Sequence, residues 1–299
     1  MSRARAFACM HALARGLGEG TAAGGAGVRA DFARVTPSVK QGAGGAYGHY
    51  DVLGVFANPA LLGSQRETFE AGAASRLSAD GIGSLWAAAA SWAGLPGKRG
   101  GPAAAVLVSG LASPDFQETG LDGAPVTAAA GPAALNAGVA GSWRAGAVTG
   151  GVAVRSVAES LGVKGVPAYH VLAFDAGIVD AIRSVQLGAA VRGLGHAPVV
   201  NVGAAWRLPW AAAVADGEWN HPLAGRLNDE ARAGVTWHAH AVLDLRAGGG
   251  AAGPERFAAA GFTVRLGRAW LDYVYSTPLA GGLGAWHLLG LGLSSGLPR

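Results

Sequence analysis

Apolar and polar residues alternate one by one along much of this chain, the period of a β-strand whose two faces meet different surroundings. In residues 261–296, Phe262, Val264 and Leu266 alternate with Thr263 and Arg265. Gly267-Arg268 supplies a two-residue turn, with Gly at the position that needs positive φ. The register this turn sets places Leu266 opposite Ala269, Val264 opposite Leu271 and Phe262 opposite Tyr273. One face of the hairpin is then wholly apolar, and the other carries Thr263, Arg265, Trp270 and Asp272.

The same pattern recurs upstream. Leu135, Ala137, Val139, Gly141 and Trp143 alternate with Asn136, Gly138, Ala140, Ser142 and Arg144; after a turn read at Arg144-Ala145, Val148, Gly150, Val152 and Val154 alternate with Thr149, Gly151, Ala153 and Arg155. Phe174 and Ile178 alternate with Asp175 and Gly177, and Val185, Leu187, Ala189 and Val191 with Gln186, Gly188, Ala190 and Arg192. Val200 through Leu208 alternate with Asn201, Gly203, Ala205 and Arg207, while Val235, Trp237, Leu243 and Leu245 run out of phase with Thr236, Asp244 and Arg246. With 69–77, 83–92 and 103–111 this makes about 13 strand candidates of roughly 9–11 residues, the length of a tilted membrane strand. An even total of about 12–14 is expected of a closed barrel. Residues 113–132, 215–230 and 247–256 read as long loops.

No amphipathic helix in the sequence can cover so many greasy faces. If those faces meet lipid, every backbone group must be paired within the protein, and the sheet must close on itself. The expectation is therefore all-β: a transmembrane antiparallel β-barrel of about 12–14 strands, with charges on the lumen side. A soluble glycine-rich β-protein with its apolar faces turned inward is the alternative.

Composition agrees with the pattern. Only 14% of the 299 residues are charged and 50 are glycine, too many glycines for a helical protein. The net charge of +4 comes without a Lys/Arg cluster, which argues against nucleic acid. A single cysteine, Cys9, allows neither an internal disulfide nor a cysteine zinc site. No apolar run is long enough for a transmembrane helix. Residues 1–24 read either as a weak secretion signal, with Ala12-Leu13-Ala14 in the form of a cleavage site, or as a disordered tail.

Residues 42–63, GAGGAYGHYDVLGVFANPALLG, resemble the N-terminal signature of the PorV/PorQ family of outer-membrane proteins, which are related in fold to the FadL fatty-acid channel. Gly42, Gly44, Gly45 and Ala46 match its glycine-rich element, Asp51 matches its acidic position loosely, and Asn58-Pro59-Ala60 matches its Asn-Pro-Ala motif. Leu271-Asp272-Tyr273, Gly282-Leu283-Gly284, His287 and the 171–179 stretch VLAFDAGIV resemble later family elements. Ala43 and Leu288 depart from the family's methionine and arginine, and no aromatic residue ends the chain. The resemblance implies an N-terminal hatch over residues 25–66, with Asn58, Pro59 and Ala60 inside the lumen, ahead of a barrel over 67–296. It also implies a place in the bacterial outer membrane. Two roles follow from it: a conduit for small hydrophobic molecules, or a membrane-embedded partner of a secretion system of the type IX kind.

Arg265 and Asp272 fall on one lumen face as diagonal neighbours, within reach of an ion pair. Arg155, Asp175, Arg192 and Arg207 are expected in the same lumen polar network. His238 and His240 have strand spacing but no third ligand in view, so no metal site is expected. Trp86, Trp92, Trp143, Trp206, Trp237, Tyr273 and Tyr275 are candidates for interfacial girdles. The sequence offers no nucleophile triad, no P-loop and no dinucleotide fingerprint in its proper context. The expected protein is not an enzyme and carries no cofactor. Its expected partners are the lipid bilayer and either small hydrophobic solutes or secretion-system proteins.

Overall fold

The computed structural model describes residues 52–64, 69–78, 84–93, 102–112, 117–119, 125–128, 133–160, 168–196, 198–208, 210–223, 229–280 and 285–295. Within them run sixteen strands: β1 (Phe69–Ser78), β2 (Ser84–Ala93), β3 (Ala103–Ala112), β4 (Gln117–Thr119), β5 (Pro125–Ala128), β6 (Ala133–Ala145), β7 (Val148–Ser160), β8 (Tyr169–Ile182), β9 (Val185–Leu194), β10 (Val199–Leu208), β11 (Ala213–Pro222), β12 (Glu230–His240), β13 (Leu243–Ala252), β14 (Glu255–Leu266), β15 (Ala269–Ala280) and β16 (Trp286–Ser294). Fourteen of them form a closed antiparallel barrel in the order β1-β16-β15-β14-β13-β12-β11-β10-β9-β8-β7-β6-β3-β2, and β4 and β5 pair as a small hairpin in the connection from β3 to β6. Every barrel strand pairs on both sides, so no edge of the sheet is left open.

Alternation decides which way each side chain points. On β6, Leu135, Val139 and Trp143 are exposed on the outside, while Asn136, Ala140 and Ser142 are buried inside. On β7, Val152 and Val154 face out, and Ala153, Arg155 and Val157 face in. Val139 pairs with Val154, and Leu266, Val264 and Phe262 pair with Ala269, Leu271 and Tyr273, the register expected from the Gly267-Arg268 turn. The outside is thus a continuous apolar surface, and the inside carries the charged and amide side chains. This is the polarity of a barrel immersed in hydrocarbon, the inverse of a soluble protein.

The two rims differ. Two-residue turns at 146–147, 183–184, 241–242 and 267–268 lie on the rim that also holds the start of β1 and the end of β16. That rim also carries the β2–β3 connection 94–102, while the opposite rim carries the connections 113–132, 161–168 and 223–229, along with one tight turn at 253–254. Trp92, Trp143, Trp206, Trp210 and Trp237 are exposed near the short-turn rim, and Trp86 and Trp219 near the other, the placement of two aromatic girdles. Tyr273 lies in the middle of β15, where its hydroxyl bonds His287 Nδ1 at 2.8 Å.

Three local expectations are corrected. The turn read at Arg144-Ala145 lies two residues on: Ala145 pairs with Val148, and Gly146 takes the positive φ of 66°. Residues 215–230, read as a loop, contain most of β11 and the first residue of β12. Residues 247–256, also read as a loop, are the second half of β13, a turn at 253–254 and the start of β14.

Inside the barrel, residues 52–64 form two 3-10 turns, Val52–Phe56 and Pro59–Ser64, which pack on the inward faces of β1, β2, β3, β6, β7 and β8. Val52, Leu53, Val55, Phe56 and Leu62 join one apolar cluster with Ala87 and Ala89 of β2, Leu107 of β3, Trp270 and Val274 of β15 and Leu288 of β16. The rest of the expected hatch, residues 25–51 and 65–66, and the loop 281–284 lie outside the described residues.

Candidate functional site

The Asn-Pro-Ala element sits in a saddle of two glycines. Asn58 is fully buried, and its Nδ2 donates to the backbone oxygens of Ile178 (3.2 Å) and Ala189 (3.3 Å) on β8 and β9. Its Oδ1 accepts from Ala60 N at 2.9 Å, closing the turn over Pro59. A side chain at Gly177 would collide with the Asn58 amide, and one at Gly151 with the Pro59–Ala60 backbone. One end of the segment is held by Glu70 of β1, whose carboxylate accepts from Val52 N at 3.2 Å. Proline without an N–H leaves no donor to satisfy at the crest of the turn.

The lumen has two unlike halves. The side under residues 52–64 is mostly alanine, leucine and valine, with Trp270 and the small polar side chains Ser91, Ser109, Asn136, Ser142 and Thr149 among them. The side from β8 to β15 is polar. Arg155 Nη2 meets Asp175 Oδ1 at 2.7 Å, and the same oxygen accepts from Gly193 N at 2.7 Å where the β8–β9 ladder bulges. Arg192 Nη2 donates to Asn220 Oδ1 at 3.3 Å, and Asn220 Nδ2 donates to Glu218 Oε1 at 3.1 Å. Arg232 bridges Glu218 (3.4 Å) and Glu230 (2.6 Å). All of these side chains are buried, and a buried charge of this kind is tolerable only when it is paired.

Arg265 and Asp272 have partners other than each other. Arg246 of β13 reaches Asp272 at 3.0 Å, and Thr263 donates to the same carboxylate. Arg265 closes on both oxygens of Asp244, which also meets His238 Nδ1 at 2.9 Å. The cause lies in the register. Arg246 stands opposite Gly261, so no side chain blocks its path across β14 to Asp272. Arg207 has inward parity on β10 but sits at the short-turn rim, exposed, with its backbone N–H on Ser184 O at 2.8 Å. His238 and His240 are separated by a register shift in the β12–β13 ladder, and among the described residues no three metal-ligating side chains come together.

The polar wall also includes seven buried charged or amide side chains outside the expected network: Asp216, Glu218, Asn220, Glu230, Arg232, Asp244 and Arg246. Asp216, Glu218 and Asn220 alternate with Ala215, Gly217 and Trp219, and that alternation was the available signal.

With this geometry the chain can be compared with solved structures. The toluene transporter TbuX of Ralstonia pickettii superposes with a TM-score of 0.61 at 12% identity, covering 86% of this chain and 97% of that one. The toluene transporter TodX of Pseudomonas putida gives a TM-score of 0.59 at 14% identity, covering 85% and 96%. The fold is the one these two toluene transporters have. At this identity the likeness speaks for the fold, a closed outer-membrane-type barrel spanned over nearly its whole length. No family model and no curated relative matches the sequence. These neighbours are described as transporters and channels.

Proposed function

We propose that this chain is a FadL-like conduit that admits small hydrophobic molecules across the bacterial outer membrane. One observation carries the reading: the barrel holds inside it an apolar segment, Val52–Phe56 with Leu62, packed on an apolar half of the wall. That arrangement lines part of an otherwise polar lumen with apolar side chains, the surroundings a hydrocarbon prefers. The fold likeness to two toluene transporters supports the same solute class. In this reading residues 25–66 are a hatch, residues 67–296 the barrel, and Asn58, Pro59 and Ala60 the element that docks the hatch to the wall. Arg155, Asp175, Arg192, Arg207, Arg265 and Asp272 belong to a polar network that holds the wall's shape.

The test must use a lipopolysaccharide-bearing membrane, because phospholipid alone already passes toluene. Cells lacking their own hydrocarbon channels should take up toluene several-fold faster when they express this chain. The sequence resemblance to PorV/PorQ proteins carries the rival role in protein secretion. That role predicts a stable protein partner after detergent extraction and no gain in uptake; this pair of results would replace the conduit with the secretion reading.

A further inference from the structure

The short-turn rim is basic at each of its five described connections. Arg144 stands before the 146–147 turn and donates from Nε to Gly146 O at 2.9 Å, which carries its guanidinium to the turn tip. Arg183 and Arg268 are themselves turn residues, and Arg207 sits beside the connection from β10 to β11. His240 closes the 241–242 turn, its Nδ1 accepting from Val242 N at 3.4 Å. Arg183, Arg207, His240 and Arg268 are exposed. None of these five connections contains a carboxylate. Among the described residues the acids nearest this rim are Glu70, Asp244 and Asp180. Glu70 and Asp244 are buried and bonded, the first to Val52 N and the second to Arg265 and His238; Asp180 is half-buried. The opposite rim is mixed in charge: Glu159 holds His196 at 2.9 Å, Asp229 holds His221 at 2.7 Å, and Glu255 precedes Arg256.

Three features select what meets this rim. The basic groups run from the β6–β7 turn round to the β14–β15 turn, past ten of the fourteen barrel strands, so their counterpart surrounds the barrel rather than touching one side. Four of the five connections are two-residue turns, too short to stand out from the wall and grip a globular partner. Trp143, Trp206 and Trp237 are exposed on the outer face beside Arg144, Arg207 and the 241–242 turn, and Trp210 is exposed within its connection. Exposed tryptophan marks the interfacial layer of a bilayer, the depth of the headgroups. A guanidinium meets phosphate there through charge-assisted, two-pronged hydrogen bonds. Short turns mark the periplasmic end of an outer-membrane barrel, where the leaflet is phospholipid. We propose that this rim is a collar for the anionic phospholipid headgroups of the periplasmic leaflet, of the phosphatidylglycerol kind. The inference concerns the seating of the barrel in its membrane and goes beyond the conduit reading, since it stands whatever the lumen carries.

Tryptophan quenching by brominated phospholipids tests this with the full chain in vesicles, because lipids that gather at this rim dim the tryptophans beside it. Brominated phosphatidylglycerol should compete for the barrel surface about threefold or more better than brominated phosphatidylcholine at low salt. The preference should fade in about 1 M salt, where charges are screened within about 3 Å. Combining Arg144→Gln, Arg183→Gln and Arg268→Gln should remove most of it, with folding checked by heat-modifiable migration on a gel. Should that triple variant fail to fold, the wild-type preference and its loss in salt still decide. Equal quenching of the wild type by both lipids at low salt overturns the collar. A preference that survives the triple variant places the lipid elsewhere and overturns it too. Binding of poly-L-glutamate to the detergent-solubilised wild type but not to the triple variant, together with equal quenching, would give the rim to an acidic protein instead.

Discussion

Asn58 ties residues 52–64 to the barrel wall. Its amide spans two strands of the wall and caps its own turn. Asn58→Ala should cost about 1–3 kcal/mol, because two wall carbonyls and the Ala60 N–H lose their partner. Loosening of residues 52–64 should show as faster proteolysis of that segment while the barrel stays intact. Gly177→Val approaches the same contact from the wall side. Overpacking there should cost about 1–3 kcal/mol and release the segment in the same assay, and unchanged proteolysis in both variants would detach Asn58 from this role. At the Arg155–Asp175 pair, Arg155→Leu leaves a buried carboxylate whose partner is gone and should cost about 3–5 kcal/mol, while Arg155→Leu with Asp175→Leu should recover much of it. Denaturant unfolding in detergent micelles measures both. The Asn-Pro-Ala motif was visible in the sequence as a motif; its seat was not. Gly151 and Gly177 matter because backbone from another part of the chain comes close to them, and a single sequence does not record such an approach.

The strands show what alternation reveals and where it misleads. The hairpin of β14 and β15 was legible down to its register, because Gly267 fixes the turn and Phe262, Val264 and Leu266 fix the face. In β11 the same period is present, but Gly217, Asn220 and Pro222 are residues that normally punctuate loops. In this fold a polar residue marks the inner face of a strand rather than its end. The run Gly248-Gly249-Gly250 in β13 misled for a related reason. A side chain at any of the three would press on backbone oxygens of the adjoining strands, Ala233, Phe257 and Ala231 respectively, so these glycines are packing residues within a strand. The pairing of Arg246 with Asp272 was hidden because it depends on which strand lies beyond β14. One prediction belongs to the element as a whole. Val154 faces out near the middle of β7, and Leu266 faces out beside a turn. Val154→Arg should destabilise the barrel in lipid vesicles by about 2–4 kcal/mol, and Leu266→Arg by only about 0–1 kcal/mol. Equal penalties would mean that the outer band does not meet a hydrocarbon layer of graded depth.

At the scale of the molecule, closure is the dominant fact. Phe69 O accepts from Ser295 N at 2.9 Å, and Ser295 Oγ accepts from Phe69 N at 3.1 Å, so the first and last strands are tied at their ends as well as along their length. A closed barrel of this kind should migrate faster on a gel unheated than after boiling; an unshifted band in the membrane fraction would contradict closure. The seam also sets an order of events in the life of the chain. The strand that begins at Phe69 pairs with β2 on one side, but its other edge finds a partner only when the strand that ends at Ser294 has been made. Until then both edges of a greasy sheet stand open to water, and open edges of that kind associate with one another. Neighbouring hairpins can pair one after another, but the wall is finished only at the seam, when the two outermost strands of the sheet meet and its last open edges disappear together.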